Sequence, residues 1–576
     1  MNRVWQLSPQ APEEFIHALA PLHRLAAQVV YARGFTNPEA AREFLNTADV
    51  RTAHLPGKDF SLAVERLLRA AAAGERIAIY GDYDVDGVTS CALLNEALAL
   101  LGAQSRVYIP NRFDEGYGLN TAALEQLHSQ GVGVVVTVDC GVRGFAEVER
   151  ARQLGLDLII TDHHELEDGR VPEAFAVVNP KQELEAAALH SLAGVGVTYL
   201  LAKALIERGR RAGMMRNEAD PSAWLELVAL GTVADMVSLI GVNRALTQRG
   251  LEHLRHTQRP GLRALMSIAG LNAAALSAEH ISFALAPRLN AAGRLESAYQ
   301  ALNLLLTSNE AHAQELARAL DQHNRYRQAL TQQVFEDAEQ RALADDPQPP
   351  LLFAAGEYHV GVVGLAAQRL AERHYQPAVV VGVEDNLGRG SCRSVDGFHI
   401  TRALDICRGL LLKHGGHDMA AGFTVNAEHI PSLKDCLMRV AAAHRPPGGW
   451  QRLFRADAML DALTLRECAI WDSPAMRSLA LLQPHGSGNP RPLFWLKGLK
   501  LQRMRLFGGS SKESHLRLTV RDSLGTLWDL KGWRMGTRLS DVSVGDALEA
   551  LVHLEWSNWN GEPRLELQMV DFRVTG

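Results

Sequence analysis

The stretch ERIAIYGDYDVDGVTS, residues 75–90, decides the fold of this chain. Its apolar run, Ile77–Tyr80, leads directly into three acids at alternate positions, Asp82, Asp84 and Asp86, and then into a helix-like segment. Three more short apolar runs, VGVVVTV, LDLIIT and FAVVNP, follow between helix-like segments. Short strands that alternate with helices predict a parallel sheet covered on both faces.

Two of the later runs also end in polar residues. VGVVVTV is followed by Asp139, and LDLIIT is followed by Asp162, His163 and His164. Because functional groups in an open parallel sheet gather at the carboxyl ends of its strands, we expect these side chains to converge with the three earlier acids. Clustered carboxylates repel one another unless cations neutralise them. The pattern therefore predicts a site for divalent cations.

Each of these motifs also has a purely structural interpretation. The spacing Asp-x-Asp-x-Asp-Gly opens calcium-binding EF-hand loops, but the twelfth position here is Leu93, where such a loop has glutamate. Asp139 with its following glycine is compatible with an ordinary turn, and Asp162 with a helix N-cap. The joint occurrence at successive strand ends favours the metal site.

A further acid lies in GTVADMV, residues 231–237, where apolar neighbours surround Asp235. A buried aspartate needs a partner, and a cation would serve. The Gly-x-Gly at 194–196 is too short a signal for a nucleotide-binding loop, and there is no GxxxxGK segment. ATP use is not indicated.

Length and composition describe an ordinary globular protein of several units. At roughly 150 residues per domain, 576 residues predict three or four domains. Six dispersed cysteines without a CxxC pair indicate neither a disulfide framework nor a cysteine zinc site. No apolar run reaches the roughly 18–20 residues of a membrane helix, and the first residues lack the apolar stretch of a signal peptide. We expect a soluble cytoplasmic protein.

Charge and aromatic residues are distributed unevenly. The formal net charge is −6, yet residues 491–540 contain eleven Lys and Arg against three Asp and Glu. Seven of the nine tryptophans lie from Trp450 onward. Basic and aromatic side chains together are typical of surfaces that bind single-stranded nucleic acid.

Composition shifts divide the chain into five parts, and they predict an α/β multidomain protein. An Ala-rich helical extension precedes the strand-helix alternation, a long polar helix follows it, a second α/β region comes next, and a β-rich barrel or sandwich begins after the linker RPPGG. The corresponding residues are 1–70, 71–307, 308–345, 346–448 and 449–576.

Four motifs, GDYDVDGVTS, TVDCG, TDHH and GTVADMV, resemble in order and spacing those of the DHH phosphoesterase superfamily. PNRFDEGYGLN, PRLNAAGRLE, HVGVVGLAA and GGHDMAAGF extend the resemblance, which spans about residues 50–576. It implies a DHH parallel-sheet domain and a DHHA1 α/β domain joined by the long helix. It also implies a C-terminal OB-fold β-barrel.

The resemblance further implies an activity: a 5′→3′ exonuclease for single-stranded DNA. Such an enzyme hydrolyses phosphodiester bonds with two Mn²⁺ or Mg²⁺ ions and releases 5′-mononucleotides in DNA repair and recombination. The implied partners are single-stranded DNA, a single-strand-binding protein and a repair helicase, with the chain a monomer away from membranes. Two alternatives stay open. One is a DHH-type phosphodiesterase for short oligoribonucleotides or cyclic dinucleotides, and the other is a non-catalytic single-strand DNA-binding scaffold.

The resemblance also assigns roles to residues. The implied metal ligands are Asp84, Asp86, Asp139, His163 and Asp235, with Asp139 bridging two ions. The implied catalytic residues are Asp82, Asp162 and His164. The implied substrate-binding residues are Arg112, Arg288, Asn290, Arg294, His359, Ser391, Arg393, Gly416 and His417.

Three qualifications accompany these roles. Since successive residues of an extended chain point apart, we expect His163 and His164 not to bind the same ion. Cys392 stands where a smaller residue is expected, which leaves the roles of Ser391 and Arg393 open. Each substrate-binding residue is, taken alone, also compatible with a surface or turn position.

Overall fold

The computed structural model of the protein describes residues 3–46, 55–111, 115–116, 118–182, 184–215, 219–508, 514–557 and 563–575. Arg112, one of the implied substrate-binding residues, lies outside these ranges. Among the described helices, none is both long enough and apolar enough to cross a membrane.

The N-terminal part begins with a strand, which corrects the expectation of helices alone. Its elements are β1 (Arg3–Leu7), α1 (Glu13–Ala18), α2 (Arg24–Ala32) and α3 (Pro38–Leu45). The strand is found here because it pairs in parallel with a segment about 450 residues later, a partner that local sequence does not reveal.

A parallel five-stranded sheet forms the centre of the DHH region. In chain order its elements are α4 (Lys58–Ala73), β2 (Arg76–Gly81), α5 (Val85–Leu100), β3 (Gln104–Tyr108), α6 (Thr121–Ser129), β4 (Val132–Val138), α7 (Phe145–Leu154), β5 (Asp157–Thr161) and β6 (Ala176–Val178). The strand order is β3-β2-β4-β5-β6, and every pairing is parallel. Side chains of β2 and β4 are buried on both faces, as the continuous apolar runs predict.

Helices complete this region. They are α8 (Gly194–Arg211), α9 (Leu225–Ala234), α10 (Gly241–Arg255), α11 (Pro260–Ile268), α12 (Ala278–His280), α13 (Ala286–Leu295) and α14 (Tyr299–Leu306). The connecting helix α15 (Glu310–Ala342) follows, and the Asn309 side chain caps it by accepting a hydrogen bond from the His312 N–H.

The DHHA1 region is a second α/β unit with a mixed sheet. Its elements are β7 (Leu352–Gly356), α16 (Val360–His374), β8 (Ala378–Glu384), β9 (Leu387–Arg393), α17 (Ile400–Ile406), β10 (Lys413–Gly416), β11 (Ala420–Asn426) and α18 (Ile430–His444). The strand order is β10-β11-β9-β8-β7. The structure joins Cys407 to Cys436 by a disulfide, because the end of α17 packs against α18. The sequence indicated no disulfide framework, and this one pair was not predicted; the other four cysteines are free and buried.

The C-terminal module contains a closed barrel. Its elements are β12 (Arg452–Ala456), β13 (Ala458–Leu460), α19 (Ala462–Cys468), α20 (Pro474–Ala480), β14 (Phe494–Phe507), β15 (His515–Arg521), β16 (Leu527–Gly532), β17 (Ala547–Ser557) and β18 (Arg564–Val574). The pairings run β14-β15-β16-β18-β17 and return to β14. This closure confirms the predicted OB-fold, and with the two α/β units it confirms the predicted fold class.

The N-terminal helices and the barrel share one hydrophobic core. Phe15, Val29 and Val30 belong to the same buried cluster as Phe494 and Phe572. β1 pairs in register with β12. The two ends of the chain therefore form a single module around the DHH and DHHA1 units, and the linker at 445–449 does not bound an independent domain.

We predict that a chain cut after residue 448 exposes this core. The N-terminal helices would lose the barrel that covers their apolar face, so the 1–448 fragment should bind a hydrophobic dye strongly and aggregate. A 55–448 fragment lacks both halves of that core and should stay dispersed. Dye fluorescence and light scattering of the two fragments at equal concentration provide the test. Equal dye binding by both fragments would contradict the shared core.

Candidate metal centre and substrate cleft

The acids that follow β2 are placed by the start of α5. Asp84 is the N-cap, and its Oδ1 accepts hydrogen bonds from the N–H groups of Asp86 at 2.9 Å and Gly87 at 3.1 Å. Asp86 lies in the first turn and is 1% exposed. Gly87 leaves room for the turn, because a Cβ there would lie 2.4 Å from the carbonyl oxygen of Asp82.

The N-terminus of α8 holds the Asp86 carboxylate. The N–H groups of Gly194 and Val195 donate to its two oxygens at 2.7 and 2.8 Å. A Cβ on Gly194 would come within 2.5 Å of Asp139 Oδ1, so only glycine lets α8 approach both acids. Gly194 belongs to the Gly-x-Gly that the sequence analysis set aside, and its role becomes visible only in the folded chain.

Asp139 and His163 form the centre of the cluster. Asp139 adopts a left-handed backbone with φ of 63°, an uncommon conformation for a residue with a side chain. His163 Nε2 lies 3.1 Å from Asp139 Oδ1, 3.6 Å from Asp235 Oδ2 and 4.0 Å from Asp86 Oδ2. Asp235 reaches the cluster from the C-terminal end of α9. Acids from three separate elements therefore converge on one imidazole.

Burial and mutual repulsion raise the pKa values of the central acids. For Asp86, Asp139 and Asp235 the largest cause is burial, and neighbouring carboxylates add to it. Burial lowers the pKa of His163 to about 4, so that its ring is neutral and can act as a ligand. Such a cluster is costly without a positive charge at its centre.

The donor set fits a divalent metal. Three groups have ligand atoms within 4.8 Å of one another; they are Asp86, His163 and Asp235, then Asp82, Asp84 and Asp139, then Asp139, His163 and His164. Within the described part of the chain, the buried atoms Asp139 Oδ1 and His163 Nε2 have no hydrogen-bond partner. Carboxylates with one or two imidazoles suit Mn²⁺ or Mg²⁺. Asp139 and His163 each belong to two of these groups, so neighbouring metal positions would share these residues as ligands.

The expectation that the two histidines point apart is wrong. Their ring centroids are 4.5 Å apart, and a nitrogen of each approaches Asp139. The backbone turns after β5 because Asp162 Oδ1 accepts the N–H groups of both histidines, at 2.7 and 3.0 Å. Asp162 Oδ1 also contacts His164 Nδ1 at 2.7 Å. Burial alone would raise the pKa of Asp162, but these hydrogen bonds lower it below its usual value.

A cleft of about 730 Å³ opens beside the cluster. It is lined by residues of both α/β units, including His163, His164, Glu165, Lys181, His190 and His417. Burial lowers the pKa of His164, yet the contact with Asp162 raises it more, so the Asp162 carboxylate favours the protonated form of this half-buried ring. The cleft can therefore receive an anionic group next to the metal ligands.

The sequence analysis missed three residues at this cleft. Lys181 forms an ion pair with Glu165 at 2.8 Å and lines the cleft with His190. The buried Asn179 donates to the carbonyl oxygen of His164 at 3.0 Å. Asn179 and Lys181 follow the strand β6 directly, as Asp139 and Asp162 follow β4 and β5. The same strand-end argument that found Asp139 would have found them.

Of the implied substrate-binding residues, Asn290 and His417 lie at the site. Asn290 Oδ1 accepts a hydrogen bond from the Val85 N–H at 3.2 Å, directly beside the acidic motif. His417 lines the cleft opposite His163 and His164. It follows Gly416, which ends β10 with φ of 148°, where a Cβ would lie 2.4 Å from the Ala420 carbonyl oxygen.

Arg288 and Arg294 have structural contacts of their own. Arg288 donates through Nε to Asp321 of α15 at 2.9 Å and through a terminal nitrogen to the Ala284 carbonyl oxygen at 2.8 Å. Arg294 approaches the DHHA1 unit, where it donates to the Gly361 carbonyl oxygen at 3.4 Å. Neither contact is with the acidic cluster.

The remaining implied residues lie in the DHHA1 unit. The His359 side chain caps α16, since its Nδ1 accepts the Gly361 N–H at 3.1 Å. Ser391 Oγ accepts from Arg393 at 3.1 Å, and the same nitrogen of Arg393 donates to the Cys392 carbonyl oxygen. Gly364 of α16 packs closely on this pair, because a Cβ there would lie 3.1 Å from Ser391 Oγ. The side chain of Cys392 points into the buried core instead.

The C-terminal tryptophans divide into structural and exposed ones. Trp495 and Trp528 donate their indole N–H groups to Glu549 and Asp522 and help to build the module. Trp471 and Trp533 are 57% and 50% exposed. Only some of the C-terminal tryptophans are therefore available to stack on bases, fewer than their number in the sequence suggests.

Trp533 belongs to an aromatic and basic patch on the barrel. We define this barrel patch as Phe507, His515, Arg517 and Trp533. The His515 ring lies 4.7 Å from Trp533 and 5.2 Å from Phe507, and the Arg517 guanidinium lies 5.2 Å from the Phe507 ring centroid. The patch borders the connection between β14 and β15, a region that OB-folds use to bind oligonucleotides.

Three families of known proteins match consecutive parts of the chain. The DHH family, N-terminal domain, matches residues 76–232; the DHHA1 domain matches 348–443; and the RecJ OB domain matches 467–571. The single-stranded-DNA-specific exonuclease RecJ of Bacillus subtilis is 35% identical over 560 residues, which cover 96% of this chain and 68% of that protein.

Solved structures agree with these matches. The crystal structure of RecJ in complex with Mn²⁺ from Thermus thermophilus superposes with a TM-score of 0.84 at 31% identity, covering 100% of this chain and 80% of that one. The complex of the same protein with Mg²⁺ gives a TM-score of 0.77 at 30% identity, covering 100% and 79%. The relatives thus bind the two metals that the donor set favours.

We predict that Asp139→Asn stabilises the metal-free fold but loses Mn²⁺ binding. The amide removes one of the repelling charges at the centre of the cluster and is a poor ligand. The loss of Mn²⁺ affinity should exceed the roughly 10- to 100-fold loss that follows substitution of residues that only support a metal ligand. Asp168→Asn is the matched control, because Asp168 has a similar φ of 52° and a side chain that is 84% exposed.

Mn²⁺ titration calorimetry and thermal unfolding of the two variants in chelator provide the measurement. An Asp139→Asn protein that binds Mn²⁺ as tightly as Asp168→Asn would remove Asp139 from the metal centre.

Proposed function

Since the chain belongs to the RecJ family of single-stranded-DNA-specific exonucleases, we propose that it degrades DNA single strands in the 5′→3′ direction and releases 5′-mononucleotides. It is a metal-dependent exonuclease for single-stranded DNA, as its relatives are. The direction, the use of two ions and the residue roles are our proposal. The observation that carries it is the convergence of Asp86, Asp139, His163 and Asp235 beside a cleft shared by two units.

We propose Asp84, Asp86, Asp139, His163 and Asp235 as the ligands of two Mn²⁺ or Mg²⁺ ions, with Asp139 shared. The arrangement also places Asp82 within ligand distance of Asp84 and Asp139, so its proposed orienting role extends to direct contact. When bound, such ions neutralise the carboxylates and draw charge from a phosphate group.

His164 is the proposed donor to the phosphate. Its Nδ1 lies 2.7 Å from Asp162 Oδ1, a contact that raises the pKa of His164 and leaves Nε2 as the ring nitrogen that would donate to the phosphate. His417, from the opposite wall of the cleft, supplies a second donor. Asn290 Oδ1 accepts a hydrogen bond from the Val85 N–H, and this contact is proposed to orient the acidic motif. Charge-assisted hydrogen bonds of this kind bind phosphate strongly.

The proposed arginine contacts need local rearrangement or a different role. Arg288 already pairs with Asp321, and that pair ties α13 to the connecting helix. To bind phosphate, Arg288 would have to break its ion pair with Asp321 and pair with the DNA backbone instead. Arg393 donates to Ser391 Oγ and to the Cys392 carbonyl oxygen, and its proposed role is to bind phosphate from the DHHA1 unit.

The barrel patch is the proposed tracking surface for the strand. Exposed Arg503 and Arg505 lie on β14 close in sequence to Phe507, so cationic and stacking groups are adjacent. Such surfaces bind the backbone by charge and the bases by stacking, without sequence preference. A cleaving centre with a separate strand-binding surface favours a polymer substrate over a cyclic dinucleotide. The intact set of acids and histidines argues against a non-catalytic scaffold.

We further propose a role in DNA repair and recombination, in the cytoplasm, with the chain acting as a monomer. Every element of the centre, the cleft and the barrel belongs to one chain. A duplex must be opened before a single-strand enzyme acts, which calls for a helicase, and a single-strand-binding protein would share the product strand. In a reducing compartment the Cys407–Cys436 pair would be reduced.

The proposed direction predicts the order of products. With Mn²⁺, a single strand labelled at its 5′ end should release the label at once as a mononucleotide, while a 3′ label should appear only in progressively shorter strands. The blunt duplex should resist, and Asp139→Asn should be inactive. Gel analysis of both labels over time tests this. Early release of the 3′ label would refute the direction, and cleavage in excess chelator would refute the metal requirement.

We predict that Trp533→Ala weakens binding of long single strands and leaves cleavage of short ones intact. Stacking contributes roughly 1–3 kcal/mol per base, so the dissociation constant should rise by about one order of magnitude. Trp471→Ala is the control, because Trp471 is equally exposed but lies outside the barrel patch. Fluorescence anisotropy with a long and a short strand measures the effect. Equal affinities of the two variants for the long strand would show that the barrel patch is not the tracking surface.

A further inference from the structure

A turn of the C-terminal module contacts the segment that leaves the metal centre. We call it the 486–489 turn; its ends, Gly486 and Asn489, exchange backbone hydrogen bonds of 2.9 and 3.1 Å. The Ser487 carbonyl oxygen accepts a hydrogen bond from the Leu239 N–H at 2.8 Å. Leu239 is four residues after Asp235, so the barrel module touches the chain directly behind a metal ligand.

The contact is close at two glycines, where an added Cβ would meet side-chain atoms of Ser238 or Leu239. Gly488 has a left-handed φ of 68°, and a Cβ there would lie 2.0 Å from Ser238 Oγ and 3.0 Å from Ser238 Cβ. A Cβ on Gly486 would lie 2.7 Å from Leu239 Cδ1. A gap this small means that the turn and residues 238–239 fix each other's position.

The turn itself is held firmly from behind. Asn489 is fully buried; its amide donates to the Leu482 and Pro484 carbonyl oxygens at 2.8 and 2.7 Å, and its Oδ1 accepts from Arg33. Arg244 donates to the carbonyl oxygens of Leu481 and Gln483 at 2.6 and 2.9 Å. The turn is therefore anchored to the N-terminal helices and to α10.

The other side of the segment is fixed to the metal site. The Asn243 amide donates to the Ser238 carbonyl oxygen at 3.1 Å and also to that of Ser191, and both serines line the cleft. Between Asp235 and Ser238, Met236 has a left-handed φ of 61°. A backbone in this strained state persists only where its surroundings hold it.

We propose that the 486–489 turn positions Asp235, so that the C-terminal module sets the geometry of the metal centre in addition to binding the strand. The inference rests on the proposed metal-dependent function. Gly488 and Gly486 are positioning residues: they lie outside the proposed ligand set and act through Ser238 and Leu239.

Gly488→Ala in the full-length chain tests the proposal. The added methyl group must push Ser238 away and shift the segment behind Asp235. Mn²⁺ affinity should fall by roughly 10- to 100-fold, the usual effect of disturbing the support of a metal ligand. The kcat should fall with it, while the KM for a long single strand and the binding of that strand in chelator should stay within about twofold of wild type.

Gly498→Ala is the matched control. Gly498 lies in the same module with a similar φ of 65°, and a Cβ there meets nothing within 4 Å. The substitution therefore imposes the same backbone strain without the collision. Adding Ser238→Ala to Gly488→Ala removes the Oγ that would be 2.0 Å away and should restore part of the Mn²⁺ affinity. If Gly488→Ala does not fold, Gly486→Ala, whose clash is with a flexible side-chain end, should show the same loss at smaller size.

The outcomes separate this inference from the proposed function. Mn²⁺ affinity and kcat equal to those of Gly498→Ala would overturn the positioning role, as would a rise in KM alone. A wild-type protein that neither binds Mn²⁺ nor cleaves single strands would instead overturn the proposed function, and this inference with it. Loss of Mn²⁺ affinity with partial rescue by Ser238→Ala supports the turn as the support of Asp235.

Discussion

Repulsion among buried carboxylates around Asp139 is the constraint on which the rest of this structure depends. Asp86, Asp139 and Asp235 are buried and lie close enough to raise one another's pKa values, and the backbone N–H groups of Gly194 and Val195, with His164 and Lys181 nearby, offset this only in part. A divalent cation at the centre would relieve that repulsion while leaving the carboxylates ionised. The parallel sheet serves this centre by bringing three strand ends to one edge, and the end of α9 adds Asp235.

Close approach of backbones is the second requirement, and glycine meets it. Gly194 lets α8 pack directly against Asp139. Gly231 lets α9 pack against Asp86, since a Cβ there would lie 2.7 Å from Asp86 Oδ1. Gly488 repeats the device from the C-terminal module, against Ser238. Each of these glycines brings a remote element to the acids. The precision of the centre thus depends on residues that have no side chain.

The organisation of the modules follows from the same contacts. The DHH unit provides the acids, the DHHA1 unit provides the facing wall with His417, and the barrel with the N-terminal helices forms a third body. Arg244 ties this third body to the catalytic unit through the carbonyl oxygens of Phe44, Leu481 and Gln483. Burial lowers the pKa of Arg244 to about 10, and its hydrogen bonds compensate for the loss of water. These contacts connect the C-terminal module directly to the unit that contains the acidic cluster.

The sequence by itself determined the features that depend on short-range periodicity and on the spacing of motifs. Alternating strands and helices predicted the parallel sheet, and acids at strand ends predicted a cation site containing Asp82, Asp84, Asp86, Asp139 and His163, because both depend on residues close together along the chain. Tertiary structure decided the rest. The pairing of β1 with β12, the approach of Gly194 to Asp139, the turn that brings His164 beside His163, and the contact of Gly488 with Ser238 all join residues whose neighbours are chosen by packing. Local sequence carries no record of such a choice, since the same glycine or strand residue is compatible with many environments until the whole chain selects one.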